Sequence, residues 1–99
     1  MAVVLTLRWA GVTPEQYDAM LDTVGWEKQV PDGLVLHVAW FEPGVMHVTD
    51  VWNAEEDFQR FFAERLASAV QEVGLPGQPE VEFSPAHRRF VAPGAGGGA

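Results

Sequence analysis

Residues 33–53, GLVLHVAWFEPGVMHVTDVWN, constrain this chain more than any other stretch. They read as two long strands joined at Glu42-Pro43-Gly44-Val45, where Pro supplies the fixed φ and Gly the positive φ of a type II turn. With that turn setting the register, Phe41 faces Met46, Ala39 faces Val48, His37 faces Asp50 and Val35 faces Trp52. Directly opposed residues point the same way, so these eight share one face. The other face carries Leu34, Leu36, Val38 and Trp40 with His47, Thr49 and Val51. Both faces are mostly apolar, and one of them holds a His-Asp couple.

Ahead of the hairpin, Val3, Leu5, Leu7 and Trp9 alternate with Val4, Thr6 and Arg8, the pattern of a strand. Thr13-Pro14-Glu15-Gln16 then supplies an N-cap, a proline at the first helical position and a capping-box glutamine. Tyr17, Met20, Leu21 and Val24 form the apolar stripe of that helix, and Gly25 stops it. Residues 26–32 are a loop. Beyond the hairpin, Asn53 is expected to cap a second helix, with Glu56 in the capping-box position. Its stripe is Phe58, Phe61, Phe62, Leu66, Ala69, Val70 and Val73, and Gly74 ends it. Glu80 to Ser84 alternates as a short strand.

Strand, helix, strand, strand, helix, strand is the ferredoxin-like βαββαβ arrangement, an α+β fold whose right-handed crossovers place both helices on one face of a four-stranded antiparallel sheet. Residues 1–91 are expected to form this single domain, and 92–99 a Gly/Ala/Pro tail that cannot pack. The pattern places Val3, Leu5, Leu7, Leu34, Leu36, Val38 and Val51 under the helices. It leaves Val4, Thr6, Arg8, Val35, His37, Ala39, Phe41, Met46, Val48, Asp50 and Trp52 on the uncovered side. Leaving the large apolar residues of that face wet would forgo on the order of 10 kcal/mol, comparable to the stability of a small domain. A second copy is the economical cover, two sheets closing face to face in a homodimer.

Fourteen acidic against six basic residues give a net charge of −8, which argues against nucleic acid and anionic membrane as partners. The absence of cysteine removes disulfides, thiolate catalysis and sulfur-ligated metals. No leader-like segment opens the sequence and no apolar run approaches the roughly 20 residues that span a bilayer, so a cytoplasmic location is expected. His37, His47 and His87 show no metal-ligand spacing, and no metal or cofactor is expected.

With GVTPEQYD opening the first helix, GLVLH entering the hairpin and DVWNAEEDF leading into the second helix, the chain resembles the dimeric α+β barrel superfamily over roughly residues 3–85. Its likeness is to small members related to antibiotic-biosynthesis monooxygenases. The resemblance implies a pocket between sheet and helices, or within the barrel, holding a small, largely apolar ligand. Neither helix carries a histidine, a departure from the haem-degrading branch of the superfamily.

His37 opposite Asp50 is the sharpest catalytic candidate, because a carboxylate orients an imidazole, fixes its tautomer and stabilises its protonated form. The alternative is two polar groups satisfying each other in a dimer core. Arg8 is a candidate for an anionic ligand group or for neutralising Asp50, with a structural ion pair as the alternative. Phe41 and Trp52 are candidate pocket walls or packing residues, and Tyr17 is a core residue with a hydroxyl within possible reach of a ligand. Two functions follow. One is a cofactor-independent monooxygenase, cyclase or isomerase acting on an apolar, aromatic or polyketide-like substrate with His37 as base. The other is a non-catalytic barrel homodimer that binds a small ligand or a protein partner.

Overall fold

The computed structural model describes residues 1–96. Four strands, β1 (Val3–Ala10), β2 (Leu34–Glu42), β3 (Val45–Trp52) and β4 (Glu80–Pro85), form one antiparallel sheet in the order β2-β3-β1-β4. Helix α1 (Pro14–Val24) connects β1 to β2. The second crossover is α2 (Glu55–Phe61), a π-helical turn (Phe62–Leu66) and α3 (Ala67–Val73) in one continuous run. This is the ferredoxin-like α+β fold expected from the element order. None of the described helices is long and apolar enough to cross a membrane.

Local sequence accounts for most boundaries. At α1 the Thr13 side chain accepts from the Gln16 backbone N–H while the Gln16 side chain accepts from the Thr13 N–H, and Gly25 closes the helix at φ 72°. The hairpin turns at Pro43-Gly44, with Gly44 at φ 79°, and its pairs are Phe41 with Met46, Ala39 with Val48 and His37 with Asp50, as the turn predicts. At α2 the expectation fails. Ala54 is the N-cap and makes no side-chain capping bond, while Asn53 donates its backbone N–H to the Gly33 carbonyl at 2.7 Å and accepts from Arg89 through its side chain. Asn53 is thus engaged in tying the hairpin base, and the helix begins one residue later.

The larger correction concerns which hairpin face meets the helices. β1 pairs with β3 so that Val3, Leu5, Leu7 and Trp9 oppose Trp52, Asp50, Val48 and Met46. The face carrying His37, Ala39, Phe41, Met46, Val48, Asp50 and Trp52 therefore lies under the helices, together with the first-strand residues predicted to be there. Leu5, Trp9, Met46, Val48 and Trp52 form its buried centre with Met20 of α1, Phe58 and Phe61 of α2 and Ala69 of α3. A register shift between Leu34 and Leu36 puts Leu34, not Val35, opposite Trp52 and turns Leu36 to the other side. Leu36, Val38 and Trp40 are consequently 50%, 45% and 43% exposed on the open face.

The tail expected over 92–99 runs beyond the described residues at 97–99. Within 92–96 the Ala95 N–H donates to the Ala92 carbonyl at 3.2 Å.

Candidate active site

Strand alternation and the hairpin register bring His37 of β2 and Asp50 of β3 together on the side of the sheet that α1 and α2 cover. Asp50, 5% exposed, accepts at Oδ1 from the His37 Nδ1–H (2.7 Å) and at Oδ2 from the Trp52 indole N–H (3.0 Å). Trp52 sits two residues along the same strand, so its indole and the carboxylate share a face. From α1, Tyr17 brings its hydroxyl to 2.8 Å from His37 Nε2. With the phenol donating to Nε2, the imidazole carries its proton on Nδ1 and presents Nε2 as an acceptor. Tyr17, His37, Asp50 and Trp52 thus form one hydrogen-bonded chain running from the first helix into the sheet.

Burial, and secondarily the carboxylates of Glu27, Asp50 and Asp18, push the Tyr17 phenol up to about 12. It remains protonated at neutral pH and serves as a donor. Tyr17 is the single tyrosine of the chain, so tyrosinate absorbance reads this group directly; its midpoint is expected near pH 12 instead of the ordinary value of about 10. The folded value lies above the unfolded one, so the Tyr17 contribution to stability is complete below about pH 10 and is lost as pH rises through about 12. Tyr17→Phe should remove that alkaline loss. A midpoint near 10 in the folded protein would contradict the arrangement.

The chain of polar groups borders a cavity of about 90 Å³ between sheet and helices. Leu5, Leu7 and Val48 line it from the sheet and Met20, Phe58, Phe61 and Leu66 from the helices, with Tyr17, Trp26, His37, Asp50 and Trp52 also in its wall. A wider open groove of about 850 Å³ runs beside β2, the edge strand, and is lined by Asp18, Leu21, Glu27 and Phe41 among others. Tyr17, Trp26, Leu34 and His37 line both spaces and stand between them. The His37 side chain is 22% exposed, so the base is within reach of the groove while its carboxylate partner is sealed.

Of the residues singled out in the sequence, His37, Asp50, Tyr17 and Trp52 converge, and Phe41 stands edge-on to Tyr17 at 6.3 Å. Arg8 does not join them. It lies on the open face, opposite His47 of β3, and pairs with Glu80 at 3.1 Å, so it makes the ion pair weighed as its alternative role and does not meet Asp50. Trp26 was not anticipated. It sits in the loop between α1 and β2, where no periodicity marks a residue as buried, yet it packs edge-on against both Tyr17 and His37 with centroids 5.6 Å away in each case.

No family model matches the sequence, and no curated protein matches it. Solved structures do. A protein of unknown function from Nitrosomonas europaea superposes with a TM-score of 0.66 at 20% identity, over 94% of this chain and 96% of that one. A mutant of SnoaB, a cofactor-independent oxygenase from Streptomyces nogalater, gives 0.67 at 16% identity, over 90% and 96%. The monooxygenase ActVA-Orf6 of Streptomyces coelicolor, in complex with nanaomycin D, gives 0.64 at 16% identity, over 92% of each chain. The chain shares the ferredoxin-like fold of these proteins.

Proposed function

We propose that this chain is a small-molecule enzyme of the cofactor-independent type, a monooxygenase, cyclase or isomerase, in which His37 acts as general base, through the Tyr17 hydroxyl, on an apolar, aromatic or polyketide-like substrate. The observation that carries the reading is the Tyr17–His37–Asp50–Trp52 hydrogen-bonded chain set into the wall of an otherwise apolar cavity. Buried, mutually oriented titratable groups of this kind gather at sites of chemistry. That SnoaB is a cofactor-independent oxygenase supports the class without bearing on the residues.

The geometry suggests how the proton moves. Tyr17 oxygen accepts the substrate proton as the phenol passes its own proton to His37 Nε2. Asp50, held by the Trp52 N–H, stabilises the imidazolium that results. The apolar lining strengthens these interactions by excluding water. What the substrate anion does next, reaction with dioxygen or an internal rearrangement, separates a monooxygenase from a cyclase or isomerase, and oxygen uptake distinguishes them.

Deuterium incorporation into the methyl group of acetophenone in D₂O tests the base step. His37→Gln is expected to lower the exchange rate by roughly 10²–10⁴-fold while the protein stays folded. If the unaltered protein gives no acceleration over buffer, the enzymatic reading falls. One observation favours the non-catalytic alternative: Tyr17 already occupies the acceptor nitrogen of His37. Binding without exchange would establish that alternative.

The open sheet face, with Leu36, Val38 and Trp40 beside Val4 and Val51, is proposed to carry a second copy of the chain. Sedimentation equilibrium should give twice the chain mass; a monomer at micromolar concentration would remove the proposal.

A further inference from the structure

The Trp26 indole N–H is the one buried side-chain polar group among the described residues without a hydrogen-bond partner. Trp26 is 9% exposed and belongs to the partition between the cavity and the groove, beside Tyr17 and His37. Buried N–H groups are nearly always paired, so an orphan in the wall of a cavity calls for an explanation. Elsewhere in this core the same group is satisfied: the Trp9 N–H donates to the Pro76 carbonyl at 2.6 Å and the Trp52 N–H to Asp50.

Resting on the base reading above, we propose that Trp26 is the specificity-determining donor of the site, and that its missing acceptor is a carbonyl oxygen of the substrate. An indole N–H only donates, so it selects a group that offers lone pairs, and a ketone oxygen offers two without a proton of its own. A ligand entering from the groove, whose wall Trp26 shares, supplies that acceptor. Trp26 packs on both the Tyr17 and the His37 rings, so a carbonyl held there brings its neighbouring carbon into the vicinity of that pair.

The chemistry of the two groups is complementary. When the C–H bond beside the carbonyl breaks, its proton passes to the Tyr17 oxygen and the Tyr17 proton to Nε2. The C–H electron pair becomes a carbon–carbon double bond, and the carbonyl π pair moves onto oxygen. The negative charge so formed sits on the atom that Trp26 contacts, so the indole N–H stabilises the enolate more than the ketone. The substrate class is therefore an aromatic ketone bearing a C–H next to its carbonyl.

Acetophenone and ethylbenzene, which are similar in shape and differ at the carbonyl oxygen, test this. The probes are titrated into ¹⁵N-labelled protein, with the Trp26 indole resonance assigned by its loss in Trp26→Phe. Acetophenone, and not ethylbenzene, is expected to shift that resonance downfield. Trp26→Phe should weaken acetophenone by about tenfold while leaving ethylbenzene within about twofold. An indole resonance that stays put while acetophenone binds would overturn the proposal. So would an equal loss for both probes, or no acetophenone binding by the unaltered protein. If Trp26→Phe does not fold, the indole shift alone decides. The base reading is judged separately by deuterium exchange: a shifted indole without exchange leaves the Trp26 contact standing and removes the base, whereas exchange with an indifferent Trp26 removes the contact alone.

Discussion

Trp52→Ala is expected to destabilise the fold by about 3–5 kcal/mol, the range for emptying a fully buried aromatic site. Trp52 is 1% exposed, with Phe58 and Phe61 packed on it at centroid distances of 5.6 and 5.7 Å. Its loss would open a void continuous with the existing cavity, which it helps to line. It would also strip the Asp50 Oδ2 of its donor inside an apolar core. For a domain of this size each kcal/mol lowers the melting temperature by roughly 4–8 °C, so the variant should melt about 12–40 °C below the parent. Trp52→Phe keeps one aromatic ring in the site while removing the N–H and part of the indole volume; its cost should be about 1–3 kcal/mol, below that of Trp52→Ala. Urea denaturation measures both. A Trp52→Ala loss below about 1 kcal/mol would mean that the site collapses and that Trp52 does not anchor Asp50.

Gly33→Ala should cost about 2–4 kcal/mol by the same measurement, although it adds one methyl group. Gly33 stands at φ 88°, a left-handed conformation that alone costs an L-residue roughly 1–2 kcal/mol. A Cβ there would also run into the side chain of Asp57, in the first turn of α2. Its carbonyl accepts from Asn53, so the residue joins the base of the hairpin to the start of the second crossover. Combining Gly33→Ala with Asp57→Gly removes the collision and leaves the φ penalty, so about half the loss should return. An effect within about 0.5 kcal/mol for the single variant would show that the junction is slack.

The sequence made some parts of this molecule readable because their causes are local. Thr13, Pro14, Gln16 and Gly25 specify α1 through their own side chains and backbone, and Pro43-Gly44 fixes which residues of β2 and β3 oppose each other, including His37 and Asp50. The choice of covered face is not local. β1 meets β3 without a connecting turn, so nothing adjacent in the chain sets which parity of β3 falls beside Leu5 and Leu7. With apolar residues on both faces of the hairpin, alternation could not break the tie. The structure buries Met46, Val48 and Trp52 and leaves Leu36, Val38 and Trp40 half out. The shift at Val35 was likewise invisible, because a strand with an extra residue has the same composition as one without. Arg8 lies on the uncovered face as expected, and the inversion of the hairpin is what parts it from Asp50. Tyr17 entered as a core residue with its hydroxyl at the edge, and its partner, His37, became evident only once α1 was laid over the sheet.

The π-helical turn at Phe62–Leu66 bears on how the length of this chain can vary. At about 100° per residue, the step from Phe61 to Ala69 would carry an unbroken α-helix about 80° past two full turns. With one residue taken up by the wider turn it ends about 20° short, and both side chains are buried. The turn is thus a seam that can absorb or release a single residue. A chain one residue shorter there closes into ordinary α-helix with Phe61 and Ala69 still on a common stripe, whereas the same deletion in α1 would rotate Tyr17 away from His37. Leu66 belongs to the seam and to the cavity wall, so insertions and deletions at this point resize the pocket while leaving the polar chain on the sheet in place.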